Sequence, residues 1–196
     1  MGYYRAGFEV VGVDIEPQPN YPFMFIRDDA IEFIKKNGYV FDFIHASPPC
    51  QRYSTMTKRW GREESHPDLI GATRNAIKAT GKPYSIENVP GAPLINPVIL
   101  CGSLFGLRVR RHRWFELSFY VLTMACDHKS QREIVGVYGH AGGKSNRDGK
   151  TFHNTDEWRL AMQIDWMTGA ELAEAIPPAY TEFIGRQFLR KLPLDN

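Results

Sequence analysis

Residues 40–51, VFDFIHASPPCQ, contain a short apolar run that ends abruptly at two prolines. A run of about six such residues is typical of a buried strand. Pro48 and Pro49 cannot continue the hydrogen-bond ladder of a central strand, so Cys50 is predicted to follow its carboxyl end. Ligands of open α/β sheets bind at that end. Cys50 is therefore a candidate nucleophile, reactive as a thiolate with positive charge nearby. The alternative is a small buried apolar side chain.

Length and composition limit the classes of protein to consider. The chain has 196 residues, of which 43% are hydrophobic, enough to bury the core of one domain. A net charge of +2 is compatible with nucleic-acid binding, although such binding depends on a local patch. No apolar run approaches the length of a membrane span, so we expect no membrane partner.

The cysteines and histidines show no recognisable metal-site pattern. The three cysteines have no C-x-x-C spacing, and His128, His140 and His153 are not spaced as metal ligands usually are. The sequence therefore predicts neither disulfides nor a metal site, and it indicates a reducing, cytoplasmic compartment.

Strand and helix signals flank the opening stretch on both sides. Upstream they predict a helix end near residue 7, a strand at 9–13 and a helix at 28–36. Downstream they predict a helix starting near residue 65, further strands and two C-terminal helices. These downstream strands fall at 83–86, 97–100, 114–117 and 134–138, and the two helices at 168–175 and 177–192.

Polar residues follow several of these strands. Asp14 ends the strand at 9–13 and could bind a pair of ribose hydroxyls, or could be an ordinary loop carboxylate. Glu87 and Asn88 follow the strand at 83–86, where burial could raise the pKa of Glu87 and make it a general acid. The alternative is a pair of turn residues. Arg111 and Arg113 alternate in an extended segment and are expected to share a face, although a solvated edge strand would look alike.

Two loops have a composition that bears on phosphate binding. Residues 51–62 are rich in Arg, Lys, Ser, Thr and aromatic residues, a mixture that binds phosphates and stacks on bases or forms a solvated loop. Residues 142–145, GGKS, lack the upstream glycine of a P-loop, because Tyr138 occupies its position.

Three motifs in a fixed order resemble a known family. Pro49-Cys50-Gln51, Glu87-Asn88-Val89 and Arg111-x-Arg113 resemble those of the DNA cytosine-5 methyltransferases, in particular small phage-type members, which end in a stretch similar to residues 175–185. The resemblance implies an α/β fold with a doubly wound, Rossmann-like methyltransferase sheet. It also implies S-adenosylmethionine as cofactor, double-stranded DNA as partner and the cytoplasm of a bacterial or phage-infected host cell as location.

The same resemblance implies an organisation in three segments. Residues 1–122 would form the catalytic domain, residues 123–166 a short target-recognition segment, and residues 167–196 helices that pack back on the catalytic domain.

Roles for individual residues also follow from this resemblance. Cys50 would add to carbon 6 of a cytosine flipped from the duplex, Glu87 would protonate N3, and Arg111 and Arg113 would orient the base. Carbon 5 would then take the methyl group, lose its proton and release Cys50. The cofactor would be bound by Asp14, Ile15, Asp29, Ala30 and Pro48, and the substrate by Asn88, Gln51, Arg52 and Ser54. Asn88 would in addition support the Cys50 loop.

Two departures from the family pattern leave alternatives open. Val109 stands where the family has Gln, and the opening strand with its F-x-G-x-G-G loop is absent. That strand would lie between those at 9–13 and 40–45, so we expect roughly 10–15 further residues, a strand and a glycine turn, encoded upstream or carried by a partner chain. The alternative is a catalytically inactive or split-subunit DNA-binding remnant. A zinc deaminase would need H-x-E and P-C-x-x-C, which are absent, and residues 52–62 favour DNA over free nucleotides.

Overall fold

The computed structural model describes residues 1–53, 65–131, 133–139 and 154–191. Short helices and strands alternate along this part of the chain, which confirms the predicted α/β class. In order they are α1 (Gly2–Ala6), β1 (Val11–Asp14), β2 (Met24–Arg27), α2 (Ala30–Asn37), β3 (Ile44–Ala46), α3 (Ile70–Ala79), β4 (Tyr84–Asn88), β5 (Val98–Leu100), β6 (Arg113–Leu117), α4 (Thr155–Met162), α5 (Gly169–Glu174) and α6 (Pro178–Leu189). None of the helices in the described ranges is both long and apolar enough to cross a membrane.

The strands form two separate sheets. β1 pairs in parallel with β2, with Val11 opposite Met24. The second sheet has the order β3-β4-β6-β5, in which β3 runs parallel to β4 and β4 antiparallel to β6. All four residues of β1 are only half-buried, whereas all five residues of β4 are buried. β4 is therefore a central strand with a partner on each side, and β1 lies at a more accessible edge.

The chain divides into two compact units. The sheet unit comprises the described residues of 11–99 together with 112–123, and the helical unit comprises residues 1–10, 100–111 and the described residues from 124 onward. In the sheet unit, one apolar cluster joins two helices to two strands, with Ile34 from α2, Ile77 from α3, Ile44 from β3 and Ile86 from β4. This packing fixes the parallel strands β3 and β4.

In the helical unit, α1 packs closely against α6. A Cβ atom on Gly2 would clash with Thr181 Oγ1 and with the Pro178 carbonyl oxygen, so the close approach requires glycine at position 2. α1 ends at Gly7, which adopts the left-handed conformation with φ of 110°. Capping boxes begin α4 and α5, and Trp158 and Tyr180 are fully buried.

Several predicted elements differ from the structure. Strand β3 is shorter than predicted, because residues Gly38–Val40 form a 3₁₀ turn before it. Strand β4 is longer and includes Glu87 and Asn88. The predicted strand at 134–138 is wrong: these residues are irregular, although Val135 N donates to the Arg108 carbonyl oxygen at 2.7 Å. β2 and α4 were not predicted at all.

Candidate functional site

The carboxyl ends of β3 and β4 bring several predicted site residues to one edge of the sheet. The strands run in parallel, with Ala46 opposite Ile86, so their carboxyl ends meet. Cys50 follows β3, and Glu87 and Asn88 complete β4. β6 runs the other way, so its first residue, Arg113, lies at the same edge.

A buried side chain ties the cysteine loop to β4. Asn88 Nδ2 donates a hydrogen bond to the Pro48 carbonyl oxygen at 2.9 Å, and Asn88 Oδ1 accepts one from Val89 N at 3.0 Å. Asn88 itself is 1% exposed. Beyond the prolines, Tyr53 N donates to the Cys50 carbonyl oxygen at 3.0 Å, closing a 3₁₀ turn. The half-buried side chain of Cys50 thus lies on a loop that is anchored on both sides.

Glu87 and Arg113 form an ion pair at this edge. Arg113 Nε lies 2.9 Å from Glu87 Oε1, and the two side chains are only 14% and 9% exposed. Glu87 stands opposite Phe115 in the β4–β6 ladder, and alternate residues of a strand share a face, so Arg113 and Glu87 project from the same side. The pair places a fixed carboxylate and a fixed cation beside the cysteine loop.

Arg111 has partners in the helical unit. Its guanidinium donates to the Val137 carbonyl oxygen at 3.0 Å and to that of Ala173, and Tyr180 Oη donates to the Arg111 carbonyl oxygen at 2.6 Å. The described contacts therefore give Arg111 and Arg113 different partners. A role for Arg111 on the base stays a prediction.

Four of the five residues expected at the cofactor gather at the end of β1, whereas Pro48 lies after β3 in the other sheet. Asp28 N donates to the Asp14 carbonyl oxygen at 3.1 Å, which brings Asp29 and Ala30 beside that end. Asp14 Oδ1 accepts from Glu16 N at 2.9 Å, and the neighbouring Ile15 is 61% exposed. A carboxylate beside an exposed apolar side chain suits the ribose and adenine of an adenosine group.

Asp29 has a second role at this edge. It caps α2, because its Oδ1 atom accepts from Ile31 N and Glu32 N, each at 2.9 Å. One of its carboxylate oxygens is thus already engaged by the helix start, so any contact with a cofactor would fall mainly to the other oxygen.

The predicted DNA-contacting loop is described only at its start. Gln51 is exposed, and Arg52 Nη1 donates to the His66 carbonyl oxygen at 2.8 Å. Ser54 and the basic residues up to position 62 lie outside the described residues, as do His140, the segment 142–145 and His153.

Sequence reasoning missed a group of possible metal ligands in the helical unit. The side-chain ligand atoms of Cys101, Cys126 and His128 all lie within 4.8 Å of one another. Burial and the neighbouring Cys101 raise the pKa of the Cys126 thiol. The short Cys126-x-His128 spacing was the one available signal, and Cys101 is too distant in sequence to complete a recognisable motif.

Comparison with known proteins supports the fold. No family model and no curated protein matches the chain. Among solved structures, the chain is similar to the crystal structure of a candidate DNA modification methyltransferase encoded within an E. coli prophage. The TM-score is 0.64 at 15% sequence identity, over 98% of this chain and 95% of the other. The two proteins share a fold. At this identity the likeness concerns the α/β architecture, and activity has to be argued from the site.

Proposed function

We propose that the chain is an S-adenosylmethionine-dependent DNA methyltransferase that acts on carbon 5 of cytosine through a covalent bond to Cys50. The observation that carries this proposal is the hydrogen bond from Asn88 to Pro48, which holds the Cys50 loop at the sheet edge where Glu87 pairs with Arg113. The fold shared with a candidate DNA modification methyltransferase supports it.

The chain's own residues can perform the steps on the base. The Cys50 thiolate would form a bond to carbon 6 of a flipped cytosine while Glu87 gives a proton to N3, which leaves carbon 5 nucleophilic. Glu87 has to carry that proton when the base arrives, and Arg113 Nε, 2.9 Å from Glu87 Oε1, can pair with the carboxylate that remains after the transfer. After methyl transfer, carbon 5 loses its proton to water, the bond between carbon 6 and sulfur breaks to restore the thiolate, and N3 returns its proton to Glu87.

S-adenosylmethionine, when bound, supplies the methyl group as an electrophile. Asp14 would hold the ribose hydroxyls, and Ile15 would contact the adenine through its exposed side chain. Asp29 and Ala30 would contact the edge of the adenine, and Pro48 would lie nearer the reacting groups because it precedes Cys50 in the loop.

Covalent trapping tests this proposal directly. After methyl transfer, ordinary cytosine loses the proton of carbon 5, and this releases the sulfur. 5-Fluorocytosine carries fluorine at that position and cannot lose it, so the bond between carbon 6 and sulfur should persist. We expect a denaturant-resistant complex of DNA and protein that requires S-adenosylmethionine, with mass spectrometry placing the adduct at residue 50. Cys50→Ser should form none, and duplex DNA with ordinary cytosine should trap nothing. An adduct at Cys101 or Cys126, or equal trapping by Cys50→Ser, contradicts the proposal.

A second candidate is a catalytically inactive or split-subunit DNA-binding chain, which the separate sheets favour. Among the described residues, β1 and β3 belong to different sheets, so no hydrogen-bonded strands there join the cofactor edge at Asp14 to the edge that carries Cys50. Calorimetric titration distinguishes the two candidates: binding of double-stranded DNA without binding of S-adenosylmethionine favours the second. Cofactor binding together with trapping at Cys50 favours the first.

A further inference from the structure

We propose that Cys101, Cys126 and His128 bind a structural zinc ion. Their ligand atoms lie within 4.8 Å of one another, and Cys101 Sγ is 3.5 Å from His128 Nε2. All three belong to the helical unit, and the proposal is independent of the methyltransferase site.

The turn that carries two of the ligands is built by its own hydrogen bonds. Asp127 Oδ1 accepts from Lys129 N at 3.1 Å and from Ser130 N at 3.2 Å, which closes the chain directly after His128. Cys126 and His128 flank this aspartate, and they are alternate residues of the same short segment.

Hydrogen bonds from Arg110 and Gln131 attach this turn to the 100–111 segment. Arg110 Nη2 donates to the His128 carbonyl oxygen at 2.7 Å, and Arg110 Nε donates to Gln131 Oε1 at 3.0 Å. Gln131 Nε2 in turn donates to the Leu107 carbonyl oxygen at 2.8 Å. Cys101, fully buried, precedes the 3₁₀ turn of the same 100–111 segment. The ligands thus come from two segments that the protein already holds together.

The ligand chemistry selects zinc. Two thiolates and an imidazole are the soft and borderline donors that zinc prefers, whereas magnesium and calcium prefer oxygen. Zinc–sulfur bonds of about 2.3 Å and zinc–nitrogen bonds of about 2.0 Å in a tetrahedron separate ligand atoms by about 3.5–3.8 Å. The distance between Cys101 and His128 already falls in that range, and the 4.8 Å limit leaves only small shifts for the rest.

The ion would fasten residues 126–128 to Cys101, near the start of the 100–111 segment of the same unit. Residues 123–166 are the segment expected to contact target DNA, so the metal would fix its first residues to the helical unit. Two thiolates and a histidine leave the fourth tetrahedral position to a further ligand. We assign the ion a structural role, because its three ligands come from two separate chain segments that it would hold together. The main effect of removing the metal should therefore be a lower melting temperature.

Metal analysis of the full chain tests the proposal. Protein expressed in zinc-supplemented medium and purified under reducing conditions should contain about one zinc per chain, as expected for a single structural site. Cobalt substitution should give the strong visible bands of tetrahedral thiolate coordination. Cys101→Ser, Cys126→Ser and His128→Gln should each lose most of the metal. Chelation should lower the melting temperature of the wild-type chain and have a much smaller effect on these variants.

Matched controls separate ligand loss from misfolding. Cys50→Ser and His66→Gln alter a cysteine and a histidine outside the cluster and should retain the metal. His128→Cys supplies a different zinc ligand at the same position, so it should restore cobalt binding with a shifted spectrum where His128→Gln does not. Metal-free wild-type protein that is folded, metal retained by folded Cys101→Ser and Cys126→Ser, or a Cys101–Cys126 disulfide in reducing buffer each overturns the proposal. None of these measurements depends on methyl transfer. Failure of the zinc proposal can therefore be distinguished from failure of the proposed methyltransferase function.

Discussion

Two buried glutamates occupy opposite faces of the same strand pair. Glu87 on β4 is 7% exposed and Glu116 on β6 is 2% exposed, and each forms an ion pair with an arginine. In the ladder Glu87 stands opposite Phe115 and Glu116 opposite Ile86, so they lie on adjacent rungs and project to opposite sides. Composition and burial alone do not distinguish them.

Their hydrogen-bond partners do distinguish them. Glu116 accepts from Arg74 Nε and Nη2, each at 2.7 Å, from Tyr84 Oη at 3.1 Å and from Ile95 N at 2.8 Å. These bonds join α3, β4, β6 and the loop before β5, and they satisfy the carboxylate fully. Burial alone would raise the pKa of Glu116, but the hydrogen bonds from Arg74 and Ile95 lower it overall. Glu116 is a structural carboxylate.

Glu87 is distinguished by the neighbours of its strand end. It is the next-to-last residue of β4, beside the loop that Asn88 attaches to β3. Glu116 is likewise the next-to-last residue of β6, but β6 is antiparallel, so its carboxyl end points away from those of β3 and β4. A buried ion pair is thus a candidate for chemistry where it meets the ends of parallel strands, and a structural link where it joins elements within the core.

The largest expected effect separates the two glutamates by activity. Glu87→Gln should lower the methylation rate by about 10²–10⁴-fold, the range for loss of a general acid, with DNA affinity little changed. Single-turnover kinetics and a DNA-binding titration measure the two quantities. Glu116→Gln, assayed at a temperature where it is folded, serves as the matched control and should retain nearly the full rate per folded molecule. Equal rates for the two variants would remove Glu87 from the chemistry.

The second prediction is that Glu116→Gln lowers the free energy of unfolding more than Glu87→Gln does. Glu116→Gln breaks a buried ion pair and leaves Arg74, whose side chain is 14% exposed, without its charge partner. Such losses cost about 3–5 kcal/mol of unfolding free energy. Denaturant unfolding should show a smaller loss for Glu87→Gln, since Glu116 satisfies more donors within the core. A larger loss for Glu87→Gln would make that residue the principal structural link.

The same variant gives a pH signature with a defined sign. Because the folded state lowers the pKa of Glu116, its contribution to stability is present above the ordinary pKa of the carboxyl and is lost as pH falls through the folded value. The wild-type chain should therefore lose stability on acidification more steeply than Glu116→Gln. Parallel stability curves for the two proteins from neutral to acidic pH would contradict the assignment.

The local patterns of the sequence predicted the strand-end residues well. Apolar runs followed by Pro48 or by Glu87 placed both groups at the carboxyl ends of strands that turned out to be parallel neighbours. Hydrophobic periodicity and the residues that end a strand are local features of the sequence, so a single chain is enough to predict such positions. The cap of α2 at Asp29 and the helix after Thr168 were local in the same sense.

Features that depend on distant pairing could not be read in this way. Arg74 and Glu116 are far apart in sequence, and no local pattern joins them. Cys101 and His128 likewise meet only through tertiary packing. Strand β2 was missed because its run, Met24–Arg27, is short and follows a loop with prolines. Its own pattern is too weak to predict a strand, and its pairing with β1 stabilises the extended conformation.

The smallest expected effect concerns Asn88, which joins the Glu87 strand to the Cys50 loop. Asn88→Ala removes the donor to Pro48 and the acceptor of Val89 N, which should cost about 1–3 kcal/mol of stability because both groups are buried or partly buried.

Two readouts at Cys50 test whether Asn88 positions the loop beyond that loss of stability. Freed from its anchor, the Cys50 thiol should react faster with iodoacetamide, by up to about tenfold, which corresponds to about 1.4 kcal/mol. Trapping on 5-fluorocytosine DNA should become slower, because the thiol is no longer held toward the base. Asn88→Asp should disturb the loop at least as much, since it sets a carboxylate against the Pro48 carbonyl oxygen. Ser118→Ala is the matched control, because it removes the Ser118 Oγ atom that accepts a hydrogen bond from Tyr84 N at the other end of β4. It should lose similar stability and leave both rates unchanged, whereas equal shifts in Ser118→Ala and Asn88→Ala would reduce Asn88 to a structural residue.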